Sequence, residues 1–172
     1  MPLRPYQEDA LTHLAVHTRA VNDIEQAWNA GHSRILLSVS MGFGVHDLLR
    51  QLCSQQAMST LWVTSPTVVQ SLLVHDVLEQ PGIPHTLYPF RAPLIGFVGA
   101  RDYFLQHPDD APTGMDVVIV DDIGPQRTTI ADTLPLIDHL TPRFVLWITP
   151  VGGLRFVPPR GEGPIDAVIQ LP

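Results

Sequence analysis

The stretch that decides the fold is Arg34–Asp47, which reads RILLSVSMGFGVHD. Its first seven residues form a short apolar run with the character of a buried strand, and Gly42 and Gly44 then interrupt the run. Beyond this turn, apolar residues recur at helical spacing, at Leu48, Leu49, Leu52 and Cys53. The stretch therefore predicts a strand, a glycine turn and a helix.

The same alternation of strands and helices continues on both sides of this stretch. Apolar residues that share one helical face predict an amphipathic helix over residues 7–30. Further strands are predicted at 60–64, 116–120, 144–148 and 167–171, and further helices at 68–79 and 130–140. Strands that are apolar on both faces and alternate with helices predict a mostly parallel sheet in a three-layer α/β/α sandwich.

Length and composition indicate one globular domain over residues 1–172. The chain has 45% hydrophobic and 16% charged residues and no run of eighteen apolar residues, which excludes a disordered chain and a membrane span. Two proline-rich stretches, 81–93 and 150–164, are predicted to be loops. A single cysteine, Cys53, and an amino terminus without an apolar leader favour a cytoplasmic, intracellular or virion-associated protein.

All ten residues in the Lys+Arg count are arginines, so the chain contains no lysine. This excludes mechanisms in which the chain supplies a lysine, including Schiff-base chemistry and a phosphate-binding P-loop lysine. The formal net charge is −7, and the arginines are scattered singly along the sequence. Without a basic stripe, autonomous nucleic-acid binding is disfavoured.

Ligands of open parallel sheets bind at the carboxyl ends of the strands, which directs attention to the residues that follow each strand. A glycine turn before a helix, such as Gly42-Phe43-Gly44, lets the backbone and the helix N-terminus approach a phosphate. Asp121 and Asp122 end a buried strand, where carboxylates suit Mg²⁺. Each motif also has a simpler interpretation: a tight turn for the glycines, and a helix cap for Asp122.

The order of these motifs along the chain is more informative than any one of them. Together they resemble the first RecA-like domain of superfamily 2 helicases and translocases. The resemblance rests on RPYQ at 4–7, the glycine loop, SPT at 65–67, the two aspartates and WITP at 147–150. It implies nucleotide-binding residues Arg4, Gln7, Gly42, Phe43, Gly44, Val45 and His46, catalytic residues Asp121 and Asp122, Mg²⁺ at Asp121, and a motif III-like Thr149.

The departures from this family indicate lost catalysis. Where the family has a lysine and then a hydroxyl residue, this chain has Val45 and His46. Valine removes a charge-assisted hydrogen bond worth roughly 1.5–3 kcal/mol, and histidine is a poor Mg²⁺ ligand. Asp122 is one methylene shorter than the family's glutamate, and only Thr149 remains of the Thr-Ala-Thr motif. The second motor domain, which supplies an arginine finger, is expected to be absent.

Three functions remain open. The favoured hypothesis is a degenerate helicase-like domain, without autonomous ATPase or unwinding activity, that acts as a structural or protein-interaction module in a nucleic-acid-processing or viral context. The second is an ATP-binding lobe completed by a partner with the other RecA-like domain. The third is a nucleic-acid-binding accessory factor that uses the loops after Ser65 and around residues 99–101. No cofactor is expected under the first hypothesis, whereas the second requires ATP and Mg²⁺; no membrane partner is expected.

Two further features receive plainer interpretations. His13 and His17 share the spacing of two metal ligands on one helix face, but no third ligand stands at a matching distance in sequence. Exposed histidines on an amphipathic helix are therefore the favoured interpretation. Cys53, which follows Leu52 in the second helix, is predicted to be a buried small apolar residue.

Overall fold

A computed structural model describes residues 5–40, 44–79, 86–91, 95–124, 127–151 and 165–171, with side chains from residue 12 onward except at 95 and 151. Within this part of the chain, seven strands and five α-helices alternate. The helices are α1 (Pro5–Asn29), α2 (Val45–Gln56), α3 (Pro66–Leu73), α4 (Arg101–Gln106) and α5 (Ile130–Leu140). The strands are β1 (Arg34–Ser40), β2 (Ser59–Thr64), β3 (Tyr88–Pro89), β4 (Ile95–Ala100), β5 (Val117–Val120), β6 (Phe144–Val151) and β7 (Ala167–Gln170).

The strands form one sheet in the order β3-β4-β2-β5-β6-β1-β7. Every neighbouring pair is parallel except β3 and β4, which are antiparallel. Only β6 lies between β1, which precedes the glycine loop, and β5, which precedes the two aspartates. The predicted fold class, a mostly parallel α/β sheet, is confirmed.

Helices cover both faces of the sheet. The core on one face contains Ile24 of α1, Leu52 of α2 and Leu72 of α3, whereas the core on the other contains Phe104 of α4 and Leu136 of α5. Successive residues of β1 alternate between these two cores, as expected for a parallel strand buried on both sides. The predicted three layers are therefore present.

The predicted elements closest to the deciding stretch agree with the structure. β1 has the predicted bounds, and so does α5, which begins with a capping box in which Thr129 and Asp132 exchange side-chain and backbone hydrogen bonds. Cys53 is buried as predicted, and burial raises the pKa of its thiol to about 11. No helix in the described segments is long and apolar enough to cross a membrane.

The helix predicted over residues 68–79 is too long, because α3 ends at Leu73. Beyond it the chain turns, and the Leu72 carbonyl accepts hydrogen bonds from the backbone N–H groups of His75, Asp76 and Val77. Val77 then forms an isolated antiparallel bridge with Phe90. Pairing with a distant segment thus outweighs the helical spacing of the apolar residues, which continues to Leu78.

β4 was not predicted, because two of its six residues are glycines. The structure explains both. A Cβ atom on Gly96 would lie 2.0 Å from the Thr60 carbonyl oxygen, and one on Gly99 would lie 2.5 Å from the Phe104 ring. The loop expected around residues 99–101 is therefore wrong, because Gly99 and Ala100 belong to β4 and Arg101 begins α4.

Candidate functional site

The parallel strands bring the predicted site residues to one edge of the sheet, which we call the carboxyl edge and which is marked by the ends of β1, β2 and β5. Val63 of β2 pairs with Val120 of β5, so that Thr64 and Asp121, the next residues, are neighbours. Thr149 lies within β6 opposite Ser38 of β1, and is 2% exposed. Thr149 is thus part of the strand and does not follow it.

The turn into α2 is closed by a glycine in the left-handed conformation. Gly44 has φ +74°, and its carbonyl accepts the backbone N–H groups of Asp47 and Leu48 at 3.1 and 3.2 Å. No side chain among the described residues caps this helix N-terminus. A Cβ atom on Gly44 would lie 3.1 Å from Cε1 of His17, so the α1 imidazole packs directly on the turn.

His17 corrects an expectation, because it is 9% exposed rather than a surface histidine. Its neighbour His13 is exposed, with the two ring centroids 6.4 Å apart. No group of three or more histidine, cysteine, aspartate or glutamate side chains in the described residues could hold a metal ion. Helical spacing predicts that His13 and His17 lie on one face of α1. It does not predict that the glycine turn packs on His17 and leaves His13 exposed.

His46 lies in the first turn of α2, where the family resemblance implies a hydroxyl group. Its half-buried ring packs edge-to-face on Trp62 of β2, with the ring centroids 4.9 Å apart. Burial lowers the pKa of His46, and the nearby Asp121 carboxylate partly opposes this effect. The result is a neutral imidazole at neutral pH, which carries no charge to offset a phosphate.

The Asp121 carboxylate is held by donors of the same chain. Its Oδ1 accepts the backbone N–H of Asp122 at 2.7 Å, and its Oδ2 accepts the Thr64 hydroxyl at 3.2 Å. Burial raises the pKa of Asp121, against the smaller opposing effects of His46, Thr64 and Arg101. Asp121 is therefore a buried and oriented carboxylate.

Asp122 is the centre of an ion-pair cluster. Its Oδ2 lies 3.4 Å from Nη1 of Arg101, and its Oδ1 pairs with Nη1 of Arg127. Its backbone has φ +63°, a conformation in which aspartate is tolerated better than most residues. Asp122 does not cap a helix, because the next helix, α5, begins at Ile130 with Thr129 as its cap.

Arg101 reaches the two aspartates from the start of α4. Its side chain is only 10% exposed. Besides Asp122, its Nη1 donates to the Asp121 carbonyl at 3.1 Å, and its Nε donates to Asp102 Oδ1 at 3.1 Å. Sequence reasoning missed this role because β4 was missed: an arginine directly after a parallel strand would have been a candidate for the carboxyl edge.

Four of the predicted nucleotide-binding residues cannot be assessed by their contacts. Arg4, Gly42 and Phe43 lie outside the described residues. Gln7 belongs to α1, but its side chain is not among those described. The described part of the predicted set is thus Gly44, Val45 and His46 at the start of α2.

The donor set at the carboxyl edge does not fit the Mg²⁺ ion that the family resemblance implies. Mg²⁺ requires near-octahedral oxygen ligands and usually binds one or two carboxylates. Here both oxygens of Asp122 face guanidinium groups, and both oxygens of Asp121 already accept hydrogen bonds. The hydroxyl position is taken by the His46 imidazole, which packs on Trp62.

No protein-family model and no curated protein sequence matches this chain. Two solved structures are similar to it. The crystal structure of the N-terminal domain of the DNA packaging ATPase from bacteriophage phi29 has a TM-score of 0.45 and 9% identity, covering 72% of this chain and 76% of that one. The phi29 viral genome packaging motor assembly has a TM-score of 0.49 and 9% identity, covering 78% of this chain and 48% of that one. This chain thus spans about half the length of the second.

Proposed function

We propose that this protein is a RecA-like domain, similar to the first motor domain of superfamily 2 helicases, that does not hydrolyse ATP. It acts as a structural or protein-interaction module in a nucleic-acid-processing or viral assembly. The observation that carries this proposal is the start of α2, where Val45 and His46 follow the glycine turn and His46 packs on Trp62. No group there can do the work of a phosphate-binding lysine.

The carboxyl edge offers little positive charge to a phosphate among its described residues. Phosphoryl transfer depends on cationic groups that stabilise negative charge on the transferred phosphate. The chain contains no lysine, Val45 is apolar, and burial disfavours the charged form of His46. Among the described residues of this edge the cations are Arg101 and Arg127, and both are already paired with Asp122.

One observation favours a second function, an ATP-binding lobe completed by a partner subunit. The α2 N-terminus has no side-chain cap, and Gly44 adopts the left-handed conformation that phosphate-binding turns use. Under this alternative, the partner supplies the cationic groups that this chain lacks. The third hypothesis, nucleic-acid binding around residues 99–101, is weakened because Arg101 is buried and paired.

A thermal unfolding experiment tests the proposal. A ligand at one hundred times its Kd stabilises a protein by about 2.7 kcal/mol, which raises Tm by roughly 5–11 °C in a domain of this size. We expect millimolar ATP with Mg²⁺ to leave the Tm unchanged. A Tm increase with ATP that CTP does not produce would overturn the proposal and favour the split motor.

Calorimetric titration of Val45→Lys with ATP and Mg²⁺ locates the defect. Recovery of binding in this variant would mean that the missing cation is what prevents nucleotide binding. Val45→Met is the matched control, because it lengthens the side chain without adding charge. Binding by both variants, or by the wild type, would show that charge at residue 45 is not the deciding factor.

A further inference from the structure

Two guanidinium groups lie next to Asp121, the residue at which the family resemblance implies a divalent cation, because both pair with the carboxylate of Asp122. Arg101 faces Oδ2 of Asp122, and Arg127 faces Oδ1 of the same carboxylate. We call these three residues the arginine clasp. Each oxygen of Asp122 thus has its own cationic partner.

The Arg101 side of the clasp is built into the fold. Its guanidinium is fixed by three acceptors, the Asp102 carboxylate, the Asp121 carbonyl and the Asp122 carboxylate. These acceptors belong to α4 and to the segment that follows β5, which are close in space although about twenty residues apart in sequence. A charge that is nine-tenths buried and held by three acceptors is a fixed part of the site.

The other carboxylate of the pair, Asp121, lies directly beside the clasp, so that a metal bound there would also meet the charges of the clasp. Asp121 is oriented by the Asp122 N–H and by the Thr64 hydroxyl, both of which donate to its oxygens. An incoming divalent cation would have to approach within a few ångströms of two guanidinium groups. Like charges at such distances repel each other strongly in a partly buried site.

We propose that Arg101 and Arg127 exclude a divalent cation from the carboxyl edge, because the arginine clasp neutralises Asp122 without metal and places two positive charges beside Asp121. The inference goes beyond the proposed function, because it concerns the metal and not the nucleotide. It implies that α4 and the segment after β5 reach their final arrangement with no ion bound. It also implies that removal of the guanidinium groups uncovers a cation site formed by Asp121 and Asp122.

Binding of Mn²⁺ to the full chain, measured by electron paramagnetic resonance in the absence of nucleotide, tests this inference. We expect the wild type to bind no Mn²⁺ at the carboxyl edge and to keep the same Tm in EDTA and in millimolar Mn²⁺. Arg127 is exposed, so the Arg127→Gln variant is expected to fold. In this variant the Kd for Mn²⁺ should lie roughly tenfold below the lowest Kd that the wild-type titration still allows, because one repelling charge is gone. The Arg101→Gln/Arg127→Gln double variant should bind it more tightly still.

The controls separate the clasp from general charge effects. Arg143→Gln removes an exposed arginine before β6, at the opposite edge of the sheet, and should leave Mn²⁺ binding unchanged. Asp122→Asn in the Arg127→Gln background should abolish the new site. If the double variant does not fold, Arg127→Gln alone decides the question.

Two results would overturn the inference: Mn²⁺ binding by the wild type that Asp121→Asn abolishes, or no gain of binding in Arg127→Gln. These failures differ from failure of the proposed function. A wild type that binds ATP but not Mn²⁺ alone refutes the non-catalytic proposal and supports the clasp. A wild type that binds Mn²⁺ at the carboxyl edge but does not bind ATP refutes the clasp and supports the non-catalytic proposal.

Discussion

Aspartates stand at both edges of the sheet, and their surroundings differ. At the amino edge, where β1, β2 and β5 begin, Asp116 accepts the N–H and the hydroxyl of Ser59 at 2.9 and 2.8 Å through Oδ2. Asp166 repeats the arrangement with the N–H groups of Ser33 and Arg34, at 2.9 and 3.1 Å. At the carboxyl edge, Asp122 pairs with the side chains of Arg101, which begins α4, and of Arg127, five residues further along the chain than Asp122.

The difference shows what each edge needs in order to hold a carboxylate. At the amino edge, Ser59, the first residue of β2, donates its backbone N–H and its hydroxyl to Asp116. These hydrogen bonds lower the pKa of Asp116. At the carboxyl edge, Asp121 is buried and its pKa is raised instead. The amino-edge aspartates therefore bind the first residues of the neighbouring strands directly, whereas at the carboxyl edge Asp122 pairs with the side chains of two arginines.

The largest effect is expected from removal of the buried cation. Arg101→Met should lower the free energy of unfolding by about 3 kcal/mol, because it leaves Asp122 and the Asp121 carbonyl without their buried partner. Urea denaturation followed by far-UV circular dichroism measures this loss. A loss below about 1 kcal/mol, the range of an exposed ion pair, would show that the cluster at the carboxyl edge is not dependent on Arg101.

A smaller loss is expected at the amino edge. Asp116→Ala should cost about 2 kcal/mol, since it removes charge-assisted hydrogen bonds to the N–H and hydroxyl of Ser59. Asp116→Asn keeps an acceptor and should cost less. Asp138→Ala, at an exposed position of α5, is the control and should change stability by less than about 0.5 kcal/mol. Equal losses for Asp116→Ala and the control would contradict the proposed role.

These two edges also show how far sequence carries the structure. The predicted strands and helices around residues 34–56 and 116–148 follow from periodicity, because apolar spacing reports burial directly. The placement of Asp121 and Asp122 at the carboxyl edge follows from the same pattern. The interactions of Asp122 also depend on Arg101, which directly follows β4. That strand is not predicted from residue propensities, because two of its six residues are glycines.

The amino-edge aspartates were missed for a different reason. The apolar run predicts Asp116 as the first residue of a strand, but β5 begins at Val117. Asp116 instead pairs with Ser59, which is 57 residues away in sequence. No local pattern identifies which strand becomes the neighbour of β5. Topology, and not residue type, decides that Asp116 accepts the N–H of a neighbouring strand, whereas the N–H that Asp121 accepts belongs to the next residue, Asp122.

Opposite pH dependences should distinguish the two edges, with effects smaller than those above. Burial holds the pKa of Asp121 in the folded protein above its ordinary value of 3.8. The folded state therefore keeps this proton to a higher pH than the unfolded state does, and Asp121 destabilises the protein as pH rises from 3.8 through the folded pKa. Asp121→Asn should therefore gain stability relative to the wild type from pH 3.8 upward, until Asp121 is fully ionised in the folded state. Unfolding by urea between pH 3 and 7 measures the trend.

For Asp116 the sign reverses. Its folded pKa lies below 3.8, so its stabilisation is complete above pH 3.8 and is lost as pH falls through the folded pKa. Asp116→Asn should accordingly cost more at pH 6 than at pH 3. Difference curves for the two variants that slope in the same direction would contradict the contrast between the edges.

The smallest effect is expected for Arg127, the exposed half of the clasp. Its side chain is 57% exposed, and an exposed pair with Asp122 contributes about 0–1 kcal/mol. Arg127→Ala alone should therefore change stability within that range, and less in high salt. In the Arg101→Met background the same substitution should cost more, because Asp122 then has no other cationic partner. A double-mutant cycle measures this coupling, and strict additivity would mean that the two arginines do not share one carboxylate.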